Sequence, residues 1–511
     1  VPDINSRSNL YTTEDFLDSL QVSKNYMADQ NLYIRERIFD MWIGDWNKMN
    51  ENWEWQSHTV NDSVIYTPIV IDRNHAFTKV DGVLFKQMLK MLSLDFICNY
   101  DSLILKDTKK INKLAFALDM AVAGRSDESV WIRQAQEIRK QMTDSLIDSA
   151  FTYLPEGVKH DEIELIKRKL KRRRLELEAV ASQYYRLLQR TPVVAGTNQS
   201  DYFLIERQAP DRTILRIYDP ETGDCRLEQQ FSGKETKELW LYGLAGNDTF
   251  EVRGNTRKGF PIYLISGEGE NQYQLNHNRK IHVYDKDYKY DYQKIKYHKI
   301  SFTPWGIYDS DKGISLGTFF TYTMYGFKRA PFTYQHRIGY NYLKGFMYAG
   351  IFPNYDGRRR LYLNASISSP RNFENFFGFG NNTAGYKEEK KNYNRVKLRT
   401  YMLNPSFEMD LRKEEVMTFF GSLDMYKAKR TDDRYIYTVY GEDHPIFRTN
   451  YFVGLGATYR ITKQPYSWLP LLETEWTAGW KMNLKKPERN FPYAQGSLSW
   501  NVRFSDRFTW A

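Results

Sequence analysis

The chain has 511 residues and a formal net charge of +10, and 16% of its residues are aromatic, including 38 Tyr and 12 Trp. It contains no stretch of 18 uncharged apolar residues and its mean hydropathy is −0.65, so a membrane-spanning helix is not predicted. The two cysteines, Cys98 and Cys225, show no metal-ligand spacing and are too few for a disulfide framework. Much of the positive excess falls in one segment, and we therefore expect no nucleic-acid partner.

Residues 1–155 are predicted to form an α+β region that is mainly helical. Apolar residues recur there at helical spacing, and one short segment alternates with the period of a strand. The predicted elements are a helix that ends at Gly44, a hairpin over Val60–Val70 with its turn at Asn61-Asp62, and helices over Val83–Leu92 and Glu128–Phe151.

A polar loop follows the first of these helices. It reads Asp-Trp-Asn-Lys-Met-Asn-Glu-Asn from Asp45 to Asn52, and Ile-Asp-Arg follows the hairpin at positions 71–73. A polar loop, a strand pair and an acidic turn in this order resemble the catalytic and metal-binding loops of the atypical kinase superfamily, which includes phosphoinositide kinases and HipA-like kinases. In that superfamily one Asp positions the accepting group, and an Asn and a second Asp hold Mg²⁺ on the nucleotide phosphates.

The resemblance implies that Asn52 and Asp72 are Mg²⁺ ligands. It places Asn47 at the position of the catalytic Asp, or Asp45 if the register is shifted by two residues. The Asp-Arg-His triplet of the family is replaced by Asn47-Lys48-Met49, and Asn cannot accept a proton as Asp does. The residues before Asn47 contain no glycine-rich nucleotide loop. We therefore expect a degenerate, inactive kinase-like fold whose loop is kept for structure.

Residues 156–192 are predicted to form one long basic helix. An apolar stripe runs from Ile163 to Leu188, behind the basic run Lys167–Arg174. The run could bind phosphates such as lipid headgroups. We favour the alternative, in which it is a solvated helix face paired with glutamates at its ends.

Residues 193–303 are predicted to form a compact β-module of short strands. The strands are expected over Asp201–Arg207, Ile214–Tyr218, Leu239–Leu241, Phe250–Val252, Ile262–Ile265 and Ile281–Tyr284.

Within the module, Gly243–Phe250 is echoed by Gly267–Tyr273, and both resemble the Gly-Gly-x-Gly-x-Asp repeat that binds Ca²⁺ in parallel β-rolls. The resemblance implies that Asp248 is a Ca²⁺ ligand. Such sites need several stacked repeats to complete an oxygen cage, and the second copy lacks the Asp. A β-turn with Gly at positive φ and Asp as a cap explains the same letters.

Residues 304–511 are predicted to form a transmembrane antiparallel β-barrel. Apolar side chains fall on every second position, and Ser, Thr, Asn, Gln, Gly, Lys and Arg fill the positions between them. Strands of about ten residues with one apolar and one polar face are typical of such barrels, and Tyr and Trp suit their interfacial girdles. A soluble sandwich also alternates, but its strands are shorter. The predicted strands are Ile314–Met324, Phe332–Tyr342, Leu361–Ile367, Met417–Met425, Tyr451–Ile461, Leu472–Met482 and Ala494–Phe504.

The barrel is expected to be incomplete in this chain. A new strand begins at Phe508, after the turn Ser505-Asp506, and stops at Ala511. An open edge in hydrocarbon leaves unpaired backbone groups that cost several kcal/mol each, so we expect the chain to be a fragment of a longer protein. The chain begins at Val1 without a signal-like segment, so we expect a secretory signal to have been removed.

The segment Ser369–Thr383 contains Phe-Phe-Gly-x-Gly-Asn-x-Thr. This core resembles an early strand and loop of the bacterial surface-antigen barrels, a superfamily that includes the insertases of outer-membrane proteins. An ordinary Gly-Asn turn between two strands is the alternative.

Together these segments resemble a group of Gram-negative outer-membrane proteins. In that group a calcineurin-like metallophosphoesterase domain precedes the kinase-like loops, a basic helix ending in a Tyr pair (here Tyr184-Tyr185), the β-module and a surface-antigen barrel. The eight His of this chain supply no dimetal ligand set, so such a domain would lie before Val1.

The resemblance implies a protein of the bacterial outer membrane whose soluble part faces the periplasm, or alternatively the cell surface. Its partners would be outer-membrane lipid and other outer-membrane or periplasmic proteins in a hetero-complex. We expect a non-enzymatic scaffold or subunit of an envelope-assembly complex. The alternatives are a barrel-anchored phosphoesterase or kinase-like enzyme with its active domain upstream, and a channel or transporter. No cofactor is assigned beyond the possible Mg²⁺ and Ca²⁺.

Overall fold

The computed structural model forms two compact units, Val1–Tyr297 and His298–Ala511. It describes residues 9–510 except 92–93, 155–156, 158–159, 210, 255–258, 276–279, 285–289, 310–311, 327–328, 330, 355–357, 379–391, 464–470 and 506–507. Residues 379–383 of the predicted core Phe376–Thr383, and the predicted turn residue Asp506, lie outside the described residues.

The first unit begins with helices around a small sheet of order β1-β3-β4-β2. Its strands are β1 (Leu10–Tyr11), β2 (Tyr26–Ala28), β3 (Trp53–Val60) and β4 (Ser63–Val70). Its helices are α1 (Thr13–Val22), α2 (Gln30–Ile43), α3 (Val83–Met91), α4 (Thr108–Ile111), α5 (Phe116–Ala123), α6 (Glu128–Gln141), α7 (Asp144–Ala150), α8 (His160–Arg174) and α9 (Leu177–Leu188).

Two predictions in this unit are confirmed by local geometry. Helix α2 ends at Gly44, whose φ of +78° suits glycine and whose missing side chain leaves room for the Tyr100 ring. The predicted hairpin turn is present at Asn61 and Asp62, which have φ of +47° and +62°. The predicted range Val60–Val70 covers this turn and β4, whereas the first strand of the hairpin, β3, lies before it.

Two segments predicted as single helices are each broken into two. In the first, the Thr143 hydroxyl accepts a hydrogen bond from the Leu146 N–H at 3.2 Å and so starts α7. In the second, the break between α8 and α9 places the Glu176 carboxylate within 3.0 Å of the Ile104 N–H, which donates to it. A capping contact thus accompanies the first break, whereas the Glu176 side chain at the second break makes no capping hydrogen bond to α9.

The basic run is not a solvated face at Arg173, and the favoured interpretation is wrong there. Arg173 is only 3% exposed. Its guanidinium donates to the Met41 carbonyl at 2.5 Å and to the Asp101 carbonyl at 3.0 Å. It also lies 4.3 Å from the centroid of the Tyr100 ring, and burial lowers the pKa of Arg173. The run therefore attaches α8 to α2.

The chain then winds into a β-solenoid made of two sheets of order β12-β10-β6-β7-β8 and β13-β11-β9-β5. The strands are β5 (Val193–Ala195), β6 (Tyr202–Ala209), β7 (Arg212–Tyr218), β8 (Cys225–Ser232), β9 (Leu239–Tyr242), β10 (Thr249–Arg253), β11 (Ile262–Ile265), β12 (Gln272–Leu275) and β13 (Ile281–Tyr284). All six predicted strands are present, and β5, β8 and β12 are additional. Parallel pairing stacks the turns β5–β6, β9–β10 and β11–β12 as three rungs, and Phe203, Phe250 and Tyr273 stack inside them.

The second unit is one antiparallel sheet of eleven strands in sequence order, with the short β19 paired to β20. The strands are β14 (Lys299–Asp309), β15 (Gly313–Met324), β16 (Tyr334–Asn341), β17 (Gly345–Pro353), β18 (Arg359–Ser368), β19 (Phe373–Asn375), β20 (Arg395–Arg412), β21 (Glu415–Ala428), β22 (Asn450–Lys463), β23 (Leu471–Asn483), β24 (Phe491–Ser505) and β25 (Phe508–Trp510); one helix, α10 (Tyr435–Tyr440), lies in a connection. All predicted strands are present, β14, β17 and β20 were not predicted, and the short β19 lies within the segment Ser369–Thr383 that resembles a strand and loop. Among the described strands no pairing joins β14 to β25.

The register keeps apolar side chains on one face of this sheet, here called the apolar face. Phe302 lies opposite Phe320, and Phe320 lies opposite Ile338 on the next strand. The same face continues to the last strands, where Leu455 lies opposite Trp480. Its members are widely exposed, including Ile300 at 77%, Ile314 at 72%, Leu316 at 67%, Leu455 at 62% and Trp500 at 63%.

The opposite face, here called the polar face, carries charges that pair across strands. Arg360 donates to Glu408 at 2.8 Å, and Arg460 donates to Glu475 at 3.0 Å. Lys481 likewise pairs with a buried carboxylate, that of Asp424, at 2.5 Å.

The two ends of the sheet differ in their connections. The connections 369–394 and 429–449 lie at one end, here called the long-loop end. The chain enters the sheet at Lys299, which pairs with Thr323 at the other end. Within the described residues, no helix is long and apolar enough to cross a membrane.

We predict that Arg173→Met lowers the free energy of unfolding of the helical region by about 2–4 kcal/mol, because the buried Met41 carbonyl and the partly buried Asp101 carbonyl lose their donor. Arg172→Met, one position away and exposed, should change it little. Thermal unfolding of the intact chain, followed by the helical circular dichroism signal, measures both variants. Equal loss in the two variants would contradict the role assigned to Arg173.

Candidate functional site

The kinase-like loop lies between α2 and β3, against the acidic turn that follows β4. Lys48, the middle residue of the substituted triplet, is fully buried there. Its ammonium donates to the Asp45 carboxylate and to the backbone carbonyl of Asp72, and lies 3.8 Å from the Asp40 carboxylate. The backbone N–H of Ile71 donates to the Asn52 carbonyl at 3.0 Å. The structure thus brings the two predicted loops together.

The side chains predicted as metal ligands bind the backbone of their own loops. Asn52 accepts a hydrogen bond from the Met49 N–H at 2.9 Å, and Asp72 accepts one from the Asn74 N–H at 2.7 Å. In the part of the chain that the structure describes, no group of three or more His, Cys, Asp or Glu is arranged to hold a metal ion. The Mg²⁺ assignment stays a prediction.

Of the two predicted catalytic side chains, that of Asp45 is engaged in the loop. Asp45 is 2% exposed, and its second carboxylate oxygen accepts from the Asn47 N–H at 3.3 Å. A base that is paired to Lys48 and enclosed in this way cannot reach a substrate hydroxyl without rearrangement. The Asn47 side chain makes no hydrogen bond within the described residues.

The sequence interpretation missed a buried ionic cluster under this loop. Arg37 donates to Asp119 at 2.8 Å and to Asp40 at 3.2 Å. Asp119 also accepts from the hydroxyls of Tyr33 at 2.7 Å and Tyr184 at 2.5 Å. Burial raises the pKa of Asp40 to about 6, although the cations beside it oppose the shift. The available signal was the pair Arg37 and Asp40, three residues apart on α2 in an apolar stripe.

The second predicted site, around Asp248, is part of a column of side chains along the solenoid, here called the ladder: Asp201, Asp248 and Asn271. The Asp201 N–H donates to the Asp248 carboxylate at 2.9 Å, and the Asp248 N–H donates to the Asn271 side-chain oxygen at 2.9 Å. Asp248 and Asn271 therefore each accept the backbone amide of the rung before them, while the Asp201 carboxylate accepts the Thr197 N–H of its own rung at 2.7 Å. The sequence interpretation found two copies of this turn, whereas the pairing of β6 with β10 reveals a third at Gly196–Asp201.

The other carboxylate oxygen of Asp248 is buried against the backbone. A Cβ at Gly243 would lie 2.1 Å from it, so only glycine fits there. Among the described residues this oxygen has no hydrogen-bond partner, and burial raises the pKa of Asp248 to about 7. The geometry assigns Asp248 to the ladder, and a Ca²⁺ role stays a prediction.

No family model, curated protein or solved structure matches this chain. The resemblances to the kinase superfamily and to the surface-antigen barrels remain expectations from the sequence.

We predict that Asp248→Asn stabilises the solenoid at pH 8 by about 1–4 kcal/mol and leaves it unchanged near pH 4. Folding raises the pKa of the Asp248 carboxyl from 3.8 to about 7. The carboxyl therefore stabilises the folded state fully below pH 3.8, and this stabilisation is lost as pH rises through 7. Asn271 shows that an amide fits the ladder.

Urea unfolding of the intact chain between pH 4 and 8 measures this difference. The exposed Asp224→Asn is the matched control and should show no pH-dependent gain. A lower free energy of unfolding for Asp248→Asn than for the parent protein at pH 8 would contradict the prediction.

Proposed function

We propose that this protein crosses the outer membrane of a Gram-negative bacterium through its C-terminal sheet. We further propose that it serves as a scaffold or subunit of an envelope-assembly complex. The observation that carries the membrane location is the apolar face, which continues through the strand register and is exposed from β14 to β24.

Exposure of this apolar face to water is energetically unfavourable. Soluble monomers rarely expose apolar patches larger than a few hundred Å², and removing apolar area from water gains about 25 cal/mol per Å². Contact with lipid would remove the apolar face from water, while the polar face with its cross-strand ion pairs suits a water-filled interior. In hydrocarbon both sheet edges would also have to be paired, which favours a closed wall in the membrane.

The connections between the strands indicate which side of the membrane the first unit would occupy. Outer-membrane barrels place short turns in the periplasm and long loops outside. The chain enters the sheet at Lys299, opposite the long-loop end. This connectivity supports a periplasmic location for the first unit.

Two features of the first unit support a scaffold over an enzyme. Three of the four side chains predicted for phosphoryl transfer, those of Asp45, Asn52 and Asp72, are engaged in contacts within the loops. Helix α3 exposes apolar side chains, with Leu84 at 86%, Val83 at 80% and Phe85 at 46%, and exposed apolar patches mark protein-interaction sites. An enzyme would need an active domain outside this chain. The charged polar face is the observation that favours the alternative of a channel.

We predict that Leu455→Arg on the apolar face prevents stable membrane integration. Arg at the bilayer midplane of a barrel costs about 2–4 kcal/mol. The variant should be lost from the urea-washed membrane fraction and from the heat-modifiable form in gels. Ser499→Arg, on the exposed polar face opposite Glu473, is the control and should integrate. Normal integration of both variants would contradict the lipid-facing assignment.

The assembly role is tested by purifying the intact protein in mild detergent. We expect stoichiometric recovery with another outer-membrane barrel, and a loss of that partner when Leu84 on α3 is replaced by Glu. Leu165→Glu, an exposed leucine on α8, is the control. Recovery of the protein alone would overturn the scaffold role. Nucleotide binding that is abolished by Asp72→Asn would favour the kinase-like alternative.

A further inference from the structure

An apolar cavity of 620 Å³ opens at the long-loop end of the C-terminal sheet. Its walls come from the polar-face side of three neighbouring strands and from the connections above them. The apolar lining comprises Val396, Leu398, Ala428, Ile436, Ile446 and Phe452. Apolar side chains are out of place on a face that otherwise carries ion pairs and hydroxyl groups, so the cavity is a local exception in the sheet.

Backbone hydrogen bonds hold the connections over the cavity. The Phe376 N–H donates to the Asn394 carbonyl at 2.8 Å, and the Tyr435 N–H at the start of α10 donates to Tyr393 at 2.9 Å. Val396, Ala428 and Ile436 pack in one buried cluster with Phe447. The cavity is therefore formed by ordered packing, and its volume falls within the range of about 300–1,000 Å³ typical of small-molecule sites.

The polar groups at the cavity give it a positive character. Arg489 donates to the Asn450 side-chain oxygen at 2.8 Å and, within the described residues, has no carboxylate partner. The carboxylate of Glu374, which also lines the cavity, is neutralised by Lys312 at 2.9 Å. One guanidinium thus remains available beside an apolar wall.

We propose that this cavity binds an amphipathic carboxylate, with its apolar chain against Val396, Ala428 and Ile436 and its anionic group on Arg489. A guanidinium pairs with a carboxylate through two parallel hydrogen bonds, and a partly dry site strengthens the pair. An uncharged molecule of the same shape would keep the apolar contacts and lose the ion pair.

The test uses the intact protein in lipid nanodiscs, titrated with decanoate and with uncharged decanamide by calorimetry, with empty nanodiscs subtracted. We expect saturable binding of decanoate at one site. Arg489→Gln should weaken the binding of decanoate about tenfold and leave the binding of decanamide unchanged. Arg412→Gln, an exposed arginine at the opposite end of β20, should change neither.

Filling the cavity gives an independent measurement. Ala428→Trp should abolish binding of both ligands, and Val396→Phe gives a smaller filling if the first variant fails to integrate. Binding that is no greater than in empty nanodiscs overturns the site, as does binding insensitive both to Arg489→Gln and to the filling variants. Since integration into nanodiscs is verified first, a failure to bind leaves the membrane proposal standing.

Discussion

Strand register is the constraint on which the C-terminal unit depends. Side chains alternate along a strand, so a slip of one residue between two strands would move a whole apolar row to the polar face. The cross-strand pairs Arg360–Glu408 and Arg460–Glu475 hold the register from the polar side, while matched apolar rows hold it from the other. In the proposed membrane location, lipid against the apolar face and water against the polar face would reinforce the same register.

The first unit meets a different constraint, which is the neutralisation of buried charge. Arg37, Lys48 and Arg173 are all nearly or fully buried, and each is surrounded by carboxylates or backbone carbonyls. Leaving one such charge unpaired would cost several kcal/mol. Through Lys48, the kinase-like loop contacts the end of α2 and the acidic turn that follows β4.

The solenoid combines both constraints. Its rungs repeat apolar residues inside and the ladder of Asp201, Asp248 and Asn271 along one turn. The ladder satisfies buried backbone amides, and it brings a buried carboxyl whose pKa is raised to about 7. The second unit shows the reverse arrangement, because at its long-loop end an apolar cavity interrupts a polar face.

The sequence alone determined the features that arise within a few residues of chain. The alternation from Ile314 onward predicts strands, because side chains of a strand point to opposite faces. The end of α2 at Gly44 and the turn at Asn61-Asp62 require positive φ, which glycine, Asn and Asp adopt most easily.

Only the tertiary structure decided the features that depend on distant partners. The Glu176 carboxylate, at the break between α8 and α9, accepts the Ile104 N–H, and the buried Arg173 donates to a carbonyl of α2. The third rung at Gly196–Asp201 shares few letters with the others, and only parallel stacking reveals it. Strand β17 is apolar on both faces and β14 contains Pro304, so neither shows a clear alternation, and their neighbours in the sheet make them strands.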